Sequence, residues 1–251
     1  MRDGATRIER LYQDGCAKIR FPNTHAQYLE AVFINTAGGL TGGDNIRWSA
    51  KVAPGSQLVL TTQACERIYR SLGTPAEVQS TLRVGRGAHL DWLPQETILF
   101  EHSKFKRRLD VDLEDGASFC AVEAVLLGRD AMGEDARSAE FSDRWRIRRN
   151  GRLLHAELAR LGTKMKEREN LSLLAGSRAF ATLLYVGPLA ERKESEIAPL
   201  VPNGGRIGIS RIGEKLVIRA LAASGLDLRR LIVPLLSTLS PIGALPRVWH
   251  L

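Results

Sequence analysis

The sequence predicts a mainly β fold: a single layered or solenoid-like domain of stacked hairpins over residues 1–251, with two helices. Short segments in which apolar and polar residues alternate recur along the chain, and this is the period of half-buried strands. A strand, a turn containing glycine and a second strand recur about every 30 residues, which indicates stacked repeating units. Only two segments, both in the last third of the chain, have the composition of helices.

A glycine-rich stretch lies between the first two clear strands. It contains four glycines and ends at an acidic residue: Gly38, Gly39, Gly42, Gly43 and Asp44. Glycine motifs that bind phosphate must open a helix, and neither of their spacings is present here. We therefore interpret the stretch as a turn that needs glycine for its backbone geometry, with a ligand cradle as the alternative. Asp44 either closes the turn by binding backbone N–H groups or acts as a general base or ligand.

The repeating units follow this stretch, and their turns contain Gly55, Gly87 and Gly116. Two glutamines and a glutamate come seven or eight residues after these glycines, and two further glutamates are their neighbours. These residues are Gln63, Gln95, Glu123, Glu66 and Glu96. Stacking of the units would gather them near one edge of the fold. There the carboxylates would line a path for a divalent cation or form ion pairs with Arg67 and Arg70, and ion pairs are the commoner arrangement.

The second half of the chain predicts a loop with a short helical turn over residues 128–140, followed by further strands. The dipeptide Asn150-Gly151 lies between two alternating runs and is a strong hairpin signal. The first of these runs carries a row of arginines, Arg144, Arg146 and Arg148. This row either binds nucleic acid or forms the solvent-exposed face of a strand. We favour the exposed face, because no aromatic side chains that stack on bases are interleaved with the arginines.

Three later strands and both helices complete the predicted fold. The strands are expected at 178–186, 206–212 and 215–221, and the helices over Pro188 to Leu200 and from Asp227 onward. Asp227 is placed as the N-cap of the second helix, and Pro234 would kink or shorten that helix. The residues after Asp227 are more apolar than one amphipathic stripe requires, so this region either completes the core or exposes a surface for a partner.

Composition limits the function classes. The chain has 251 residues, a formal net charge of +8 and a pI of about 9.7, so it attracts acidic partners, either nucleic acid or an acidic protein. Its three cysteines form no paired motif, no apolar run is long enough to span a membrane and no signal peptide is recognised, which predicts a cytoplasmic protein. Neither a nucleophile motif nor a phosphate-binding loop is present, so no catalytic residue is predicted.

Five sequence blocks, in order, resemble the family of the urease accessory protein UreD, also called UreH. The blocks are Asn35–Asp44, Leu60–Ala64 with Tyr69–Ser71, Trp92–Phe100, Leu127–Arg129 with Met132–Glu134, and Pro246–Trp249. The resemblance runs from about residue 7 to the end of the chain. Thr36 departs from the pattern, since the family often has proline there, and residues 178–245 match only in general pattern.

The resemblance implies a mostly β scaffold with two helices and not an enzyme. UreD-like proteins bind the accessory protein UreF, which recruits the GTPase UreG, and the assembly docks on the urease apoenzyme to assist nickel insertion. No tightly bound cofactor is implied, only a nickel ion in transit, whose weak oxygen ligands would let it leave again. The candidate residues lining its path are Asp44, Glu66, Glu96, Glu123 and Glu134. The alternative function is a basic, β-rich nucleic-acid-binding protein without enzymatic activity.

The matching blocks also contain residues with other expected roles. The family-motif residues expected to be structural are Gly38, Gly39, Gly42, Gly43, Gln63, Arg70 and Gln95. The candidates for binding a UreF-like partner are Leu231, Leu235, Arg247 and Trp249. The alternative for these four is that the second helix and the C-terminal segment simply complete the core of the domain. No membrane partner is expected.

Overall fold

A computed structural model describes residues 4–129, 132–163, 169–170, 173–202, 204, 206–243 and 245–250. The strands within those residues are β1 (Ala17–Arg20), β2 (Leu29–Asn35), β3 (Asn45–Val52), β4 (Gln57–Thr62), β5 (Glu66–Ile68), β6 (Ala76–Val84), β7 (His89–Leu93), β8 (Thr97–Leu99), β9 (Lys104–Leu113), β10 (Ser118–Leu127), β11 (Glu140–Arg149), β12 (Arg152–Leu161), β13 (Ala179–Val186), β14 (Ile207–Ile212) and β15 (Lys215–Ala222). The helices are α1 (Ala190–Ile197), which continues into a 3₁₀ turn at Ala198–Leu200, and α2 (Gly225–Leu239), and a last 3₁₀ turn spans Arg247–Trp249.

The described strands form two sheets. The larger has ten strands in the order β1-β2-β4-β7-β10-β13-β15-β14, with β5 beside β8 and β8 beside β10. The smaller has five strands in the order β12-β11-β9-β6-β3. Each coil of the chain places one strand in each sheet, and equivalent strands of successive coils pair in parallel. The result is a β-solenoid of about three turns, so the predicted mainly β, solenoid-like fold with two helices is confirmed.

One detail of that prediction is wrong, because the two strands of a repeating unit do not pair as a hairpin but belong to different sheets. Hydrogen bonds between turns show how the units stack. The Gly55 N–H donates to the Arg86 carbonyl at 2.9 Å, and the Gly87 N–H donates to the Asp115 carbonyl at 3.0 Å. Gly55, Gly87 and Gly116 have φ values of +70°, +63° and +66°, a left-handed conformation that glycine adopts without strain.

The hairpin predicted at Asn150-Gly151 is confirmed. It joins β11 and β12, which pair antiparallel. Asn150 and Gly151 have φ values of +48° and +77°, and two positive values are what a type I′ turn requires. The strands and the first helix predicted after residue 178 are also present. Residues 130 and 131 of the predicted loop lie outside the described residues, and residues 132–139 contain no strand.

The second helix begins earlier than predicted. Its N-cap is Ser224 and not Asp227, because the Ser224 hydroxyl accepts a hydrogen bond from the Asp227 N–H at 3.1 Å. Asp227 instead lies in the first turn, where a carboxylate is favourable near the positive end of the helix dipole. Pro234 does not shorten the helix, which continues to Leu239.

The two sheets differ in their outer faces. Both inner faces pack into the core, and α1, α2 and the C-terminal segment pack on the outer face of the larger sheet. Five side chains of α2 are buried there: Leu228, Ile232, Leu235, Leu236 and Leu239. On β9 and β11 of the smaller sheet, buried residues alternate with more exposed ones. None of the described helices has the length and apolar character needed to cross a membrane.

Candidate functional site

A buried charged cluster lies between the two sheets. Arg107 on β9 and Asp143 on β11 meet Glu123 on β10 of the opposite sheet. Arg107 Nη1 lies 2.5 Å from Glu123 Oε2, and Arg107 Nη2 lies 2.8 Å from Asp143 Oδ2. None of the three side chains is more than 7% exposed. A single guanidinium therefore joins carboxylates from both sheets by charge-assisted hydrogen bonds.

Neutral donors and acceptors complete this cluster. Trp92 Nε1 donates to Glu123 Oε1 at 2.9 Å, and Trp145 Nε1 donates to Asp143 Oδ2 at 3.0 Å. Arg107 Nη1 also donates to Thr97 Oγ1 at 3.0 Å. Buried charges are tolerated only when they are paired and hydrogen-bonded, and these contacts satisfy most of the polar atoms of the cluster; Arg107 Nε and Asp143 Oδ1 have no hydrogen-bond partner within the part of the chain that the structure describes.

The cluster holds two carboxyl groups against one guanidinium. Burial raises the pKa of Glu123 above its ordinary value, and the opposing charge of Arg107 offsets this only in part, while the charge of Asp143 raises it further. Burial lowers the pKa of Arg107, but Asp143 and Glu123 together hold it above its ordinary value. Arg107 therefore remains charged, and the surroundings favour protonation of Glu123 as the pH falls.

Glu66 is a second carboxylate on the inner side of the larger sheet, and it is half-buried. Asn35 Nδ2 donates to Glu66 Oε1 at 3.1 Å and to the Gly39 carbonyl at 3.2 Å. Burial raises the pKa of Glu66 to about 6, although hydrogen bonds from Asn35 and from the Arg67 N–H lower it and the charge of Asp44 raises it. Glu66 is therefore about half ionised near pH 6.

Strand register connects Glu66 with the buried cluster. β5, β8 and β10 are parallel neighbours, so that Glu66 is opposite Thr97 and Thr97 is opposite Val125. Register partners on neighbouring strands point to the same side of a sheet. Thr97 in turn accepts the hydrogen bond from Arg107. An interior polar row thus runs from the half-buried end of the fold into its core, and its members are Asn35, Glu66, Thr97, Arg107 and Glu123.

Glu96 and Gln95 belong to a different cluster, formed with α2. Arg229 Nη1 donates to Glu96 Oε1 and to Gln95 Oε1, both at 2.9 Å. The Cys65 thiol donates to Glu96 Oε2 at 3.4 Å, and burial, together with the charge of Glu96, raises the pKa of Cys65 to about 12. Glu96 therefore ties α2 to the segment between β7 and β8, and Cys65 is a protonated thiol.

The predicted gathering holds for the backbone, because the Glu66 N–H donates to the Glu96 carbonyl at 3.0 Å, but the side chains point into different surroundings. Glu66 and Glu123 lie in the interior polar row, Gln95 and Glu96 contact α2, and Gln63 is exposed between β4 and β5. Distance from the repeat glycine does not explain this division. Glu66, Glu96 and Glu123 come eleven, nine and seven residues after their glycines, yet Glu123 contacts Arg107 in the core and Glu96 contacts Arg229 of α2.

Of the three candidate glutamates, Glu123 and Glu96 form ion pairs, but with arginines that were not predicted, and Glu66 has no ion pair among the described residues. Arg107 and Arg229 bind the carboxylates, in place of Arg67 and Arg70. The alternation along β9 contained a signal for Arg107, because a charged residue between Phe105 and Leu109 stands at an inward position. Nothing local marks Arg229, whose side-chain partners Gln95 and Glu96 lie more than 130 residues away in the chain.

Histidine, cysteine, aspartate and glutamate side chains of the described residues form no group of three or more that could hold a metal ion.

Comparison with known proteins identifies the family. A family model described as UreD urease accessory protein matches residues 1–250. The chain belongs to the UreD family. It is similar to the urease accessory protein UreD of a Chelativorans species, with 59% identity over 251 residues, which are 100% of this chain and 91% of that protein. The urease accessory protein UreD of Rhizobium rhizogenes is 52% identical over 250 residues, covering 99% of this chain and 91% of that protein. The urease accessory protein UreD 1 of Brucella melitensis is 46% identical over 251 residues, with coverage of 99% and 90%.

The glycine stretch that carried the resemblance to UreD forms a turn between β2 and β3, as predicted. Gly38, Gly39 and Gly43 have φ values of +78°, +146° and +92°. A Cβ at Gly39 would collide with the Tyr69 ring and lie 2.7 Å from the Arg67 carbonyl oxygen. At Gly42, a Cβ would meet the Ser71 hydroxyl and the Thr74 carbonyl oxygen, the latter at 2.6 Å. Close packing of the turn against residues 67–74 therefore excludes side chains at Gly39 and Gly42.

Two candidate nickel-lining residues of this UreD chain hold loops in place. Asp44 Oδ2 accepts a hydrogen bond from the Thr41 N–H at 2.8 Å, so Asp44 closes the glycine turn. The Thr41 hydroxyl donates to the Arg70 carbonyl at 3.1 Å, and Arg70 thereby anchors the same turn through its backbone. Glu134 accepts hydrogen bonds from Arg129 and, at 2.5 Å, from the Glu101 N–H. That any of these carboxylates lines a nickel path stays a prediction.

The residues predicted to bind a UreF-like partner differ in their exposure. Leu235 and Trp249 are fully buried, whereas Leu231 is half-buried and Arg247 is exposed. Trp249 Nε1 donates to the Leu93 carbonyl at 3.0 Å, and the Arg229 guanidinium lies 4.9 Å from the centre of the Trp249 ring. In this UreD fold α2 and the C-terminal segment therefore complete the core, and a partner that approaches them meets Leu231 and Arg247.

Proposed function

We propose that this protein is a non-catalytic scaffold in urease maturation. Together with UreF-like and UreG-like proteins it docks on the urease apoenzyme and assists the insertion of nickel into the active site. The observation that carries the proposal is the match to the UreD family over residues 1–250, with relatives 46–59% identical along nearly the whole chain. We further propose that residues 1–251 act as one domain in the cytoplasm, and that GTP is hydrolysed by the UreG-like partner.

The interior polar row supports a role in nickel transfer. Glu66 is half-buried and is held by the neutral amide of Asn35, so its carboxylate is not neutralised by a cation within the described residues. The row continues through Thr97 towards Glu123, whose charge is shared with Arg107. Oxygen ligands of this kind bind nickel weakly, which suits an ion that must be passed on. In this proposal nickel is cargo, and no cofactor is bound permanently.

The test is reconstitution of urease activation. The chain is co-expressed with urease subunits and with UreF-like and UreG-like proteins, and co-purification, urease activity and nickel bound to urease are measured. We expect Glu66→Gln, which keeps the shape of the side chain and removes its charge, to lower the nickel content of urease severalfold without loss of co-purification. The matched control is Glu191→Gln on the exposed side of α1, which should change neither quantity.

Two results would count against the scaffold. If the parent chain does not co-purify with any of these proteins, or if urease is activated equally in its absence, the proposed function is wrong. The isolated protein should bind Ni²⁺ weakly in a calorimetric titration and should hydrolyse no GTP. A stoichiometric nanomolar nickel site would instead identify a storage site and exclude simple transit.

A further inference from the structure

The outer face of the five-stranded sheet has an excess of positive charge that is close to the net charge of the whole chain. We define the basic face as the outward-pointing residues of β3, β6, β9, β11 and β12. Its ten basic side chains are Arg47, Lys51, Arg83, Lys104, Lys106, Arg108, Arg144, Arg146, Arg148 and Arg160, and its four acidic side chains are Glu77, Asp110, Asp112 and Glu140. Ten cations against four anions leave an excess of six charges, in a chain whose formal net charge is +8.

The charges on this face are arranged in rows across the strands. Arg47 is in register with Gln79, Gln79 with Arg108, Arg108 with Arg144, and Arg144 with Leu158. We call these five residues the central row. Arg108 and Arg144 are direct neighbours on strands about 4.8 Å apart, and like charges placed opposite each other in a sheet are destabilising. No carboxylate of the described residues lies within ion-pair distance of the arginines of the central row.

The carboxylates lie in the flanking rows. On one side Lys106 is 3.9 Å from Glu77 and Lys104 is 3.1 Å from Glu140. On the other side Arg148 is 3.8 Å from Asp110. The charged residues of the central row are therefore all positive, whereas the flanking rows contain both kinds of charge. This pattern fits a partner that has an acidic strip bordered by both kinds of charge.

We propose that the basic face is a docking surface for an acidic protein surface, namely that of the urease apoenzyme. This rests on the proposed function, in which the scaffold holds urease and other accessory proteins together. The helical side, with Leu231 and Arg247, is the predicted site for the UreF-like protein, and the basic face lies on the opposite side of the two packed sheets. Two partners can then bind at the same time without overlap.

The composition and dimensions of the face favour protein over nucleic acid. Four carboxylates would repel a phosphate backbone, and no aromatic ring among the described residues of the face is available for stacking on bases. The exposed Leu158 adds an apolar contact at the end of the central row. Five strands of eight to ten residues present an area of about 20 Å by 30 Å, roughly three quarters of the ~800 Å² that each partner buries in a standard interface.

A single substitution should weaken docking without lowering the stability of the fold. Arg144→Glu places a carboxylate opposite Arg108, so the variant exchanges a like-charge pair for an ion pair and should unfold at the same or a higher temperature than the parent. It also reverses a charge in the centre of the docking surface, and we expect its affinity for urease apoenzyme to fall about tenfold or more. The matched control is Arg192→Glu on α1, which changes the net charge equally on the other side of the molecule.

Binding of purified urease apoenzyme to the parent, the variant and the control is measured at ~50 mM and ~500 mM salt. We expect the parent and the control to bind alike and to weaken with salt, because exposed charges are screened. Equal binding by Arg144→Glu would overturn the docking surface while leaving the scaffold intact. If the parent binds neither urease nor a UreF-like protein, the proposed function fails and the docking surface with it. Retention of the parent by duplex DNA at ~150 mM salt, lost in Arg144→Glu, would assign the face to nucleic acid instead.

Discussion

The two sheets share a hydrophobic core but face different surroundings on their outer sides. The ten-stranded sheet is covered by α1, α2 and the C-terminal segment, and its central strand β7 is buried at all five positions. The five-stranded sheet is covered on one side only, and burial on β9 and β11 alternates with every residue. On these strands a charged residue at an inward-pointing position therefore lowers the stability of the fold unless it is paired, whereas a charged residue at an outward-pointing position has little effect.

Adjacent residues of β9 illustrate this difference. Arg107 points into the core and is held between two carboxylates, whereas Arg108 points outward and has no ion pair among the described residues. The two arginines have the same intrinsic chemistry and differ by one position in the chain. Their contributions to stability should differ by several kcal/mol, and the following substitutions test this contrast between inside and outside.

The largest effect is expected for Arg107→Met. Removing the guanidinium leaves Glu123 and Asp143 buried without a cation, and breaking a buried ion pair in this way costs about 3–5 kcal/mol. Arg108→Met, the matched control, should change the free energy of unfolding by less than about 0.5 kcal/mol. Urea denaturation of both variants measures the difference. Similar losses in the two variants would show that the contrast between the faces of β9 is mistaken.

A second contrast lies within the last 3₁₀ turn. Trp249→Ala removes a fully buried ring and its hydrogen bond to Leu93, and should lower the free energy of unfolding by about 3 kcal/mol or more. Arg247→Ala, two residues earlier, should be nearly neutral for stability because Arg247 is exposed. Arg247→Ala thus remains folded and can report on binding of the UreF-like protein in a co-purification assay. A parent-like melting temperature for Trp249→Ala would contradict the assignment of this segment to the core.

The glycine turn offers a third, smaller contrast. Gly39→Val and Gly42→Val force side chains against residues 67–74 and should each destabilise the fold by about 1–3 kcal/mol. Gly38→Ala meets open space and suffers only the strain of its positive φ, which is of order 1 kcal/mol. Chemical denaturation, together with urease activation in the reconstituted system, checks all three. If the valine variants were as stable and as active as the parent, the turn would not need close packing.

The smallest effect concerns Glu66 and pH. Because the folded protein holds the pKa of Glu66 at about 6, above its ordinary value of 4.5, the folded state binds more protons than the unfolded state between these values. The contribution of Glu66 to stability should therefore decrease as the pH rises from about 4.5 to about 6. The change is at most about 2 kcal/mol and is reduced by solvent screening. The free energy of unfolding of the parent and of Glu66→Gln is measured across pH 4.5–7. If the two free energies change with pH in the same way, the contribution assigned to Glu66 is wrong.

Local patterns in the sequence were sufficient for much of the fold. Alternation of apolar and polar residues predicted the strands of the small sheet and the outward direction of Arg144, Arg146 and Arg148. Successive residues of a strand point to opposite sides of the sheet, so the side that a residue occupies can be inferred from its immediate neighbours. The type I′ hairpin at Asn150-Gly151 followed from the two residues that adopt its positive φ values. The stacking of coils followed from the recurrence of turn glycines.

Tertiary structure decided which residues meet. The strands of each unit pair with the next coil and not with each other, so contacts form between residues about 30 positions apart, as between Trp92 and Glu123. The partners of Arg107 and Arg229, and the burial of Trp249, depend on such distant contacts. A local pattern states which side of a strand a residue occupies, but the charge and shape opposite that side come from other parts of the chain. For that reason the carboxylates could be recognised as candidates from the sequence, while their division between the interior row, the helix contacts and the surface required the assembled fold.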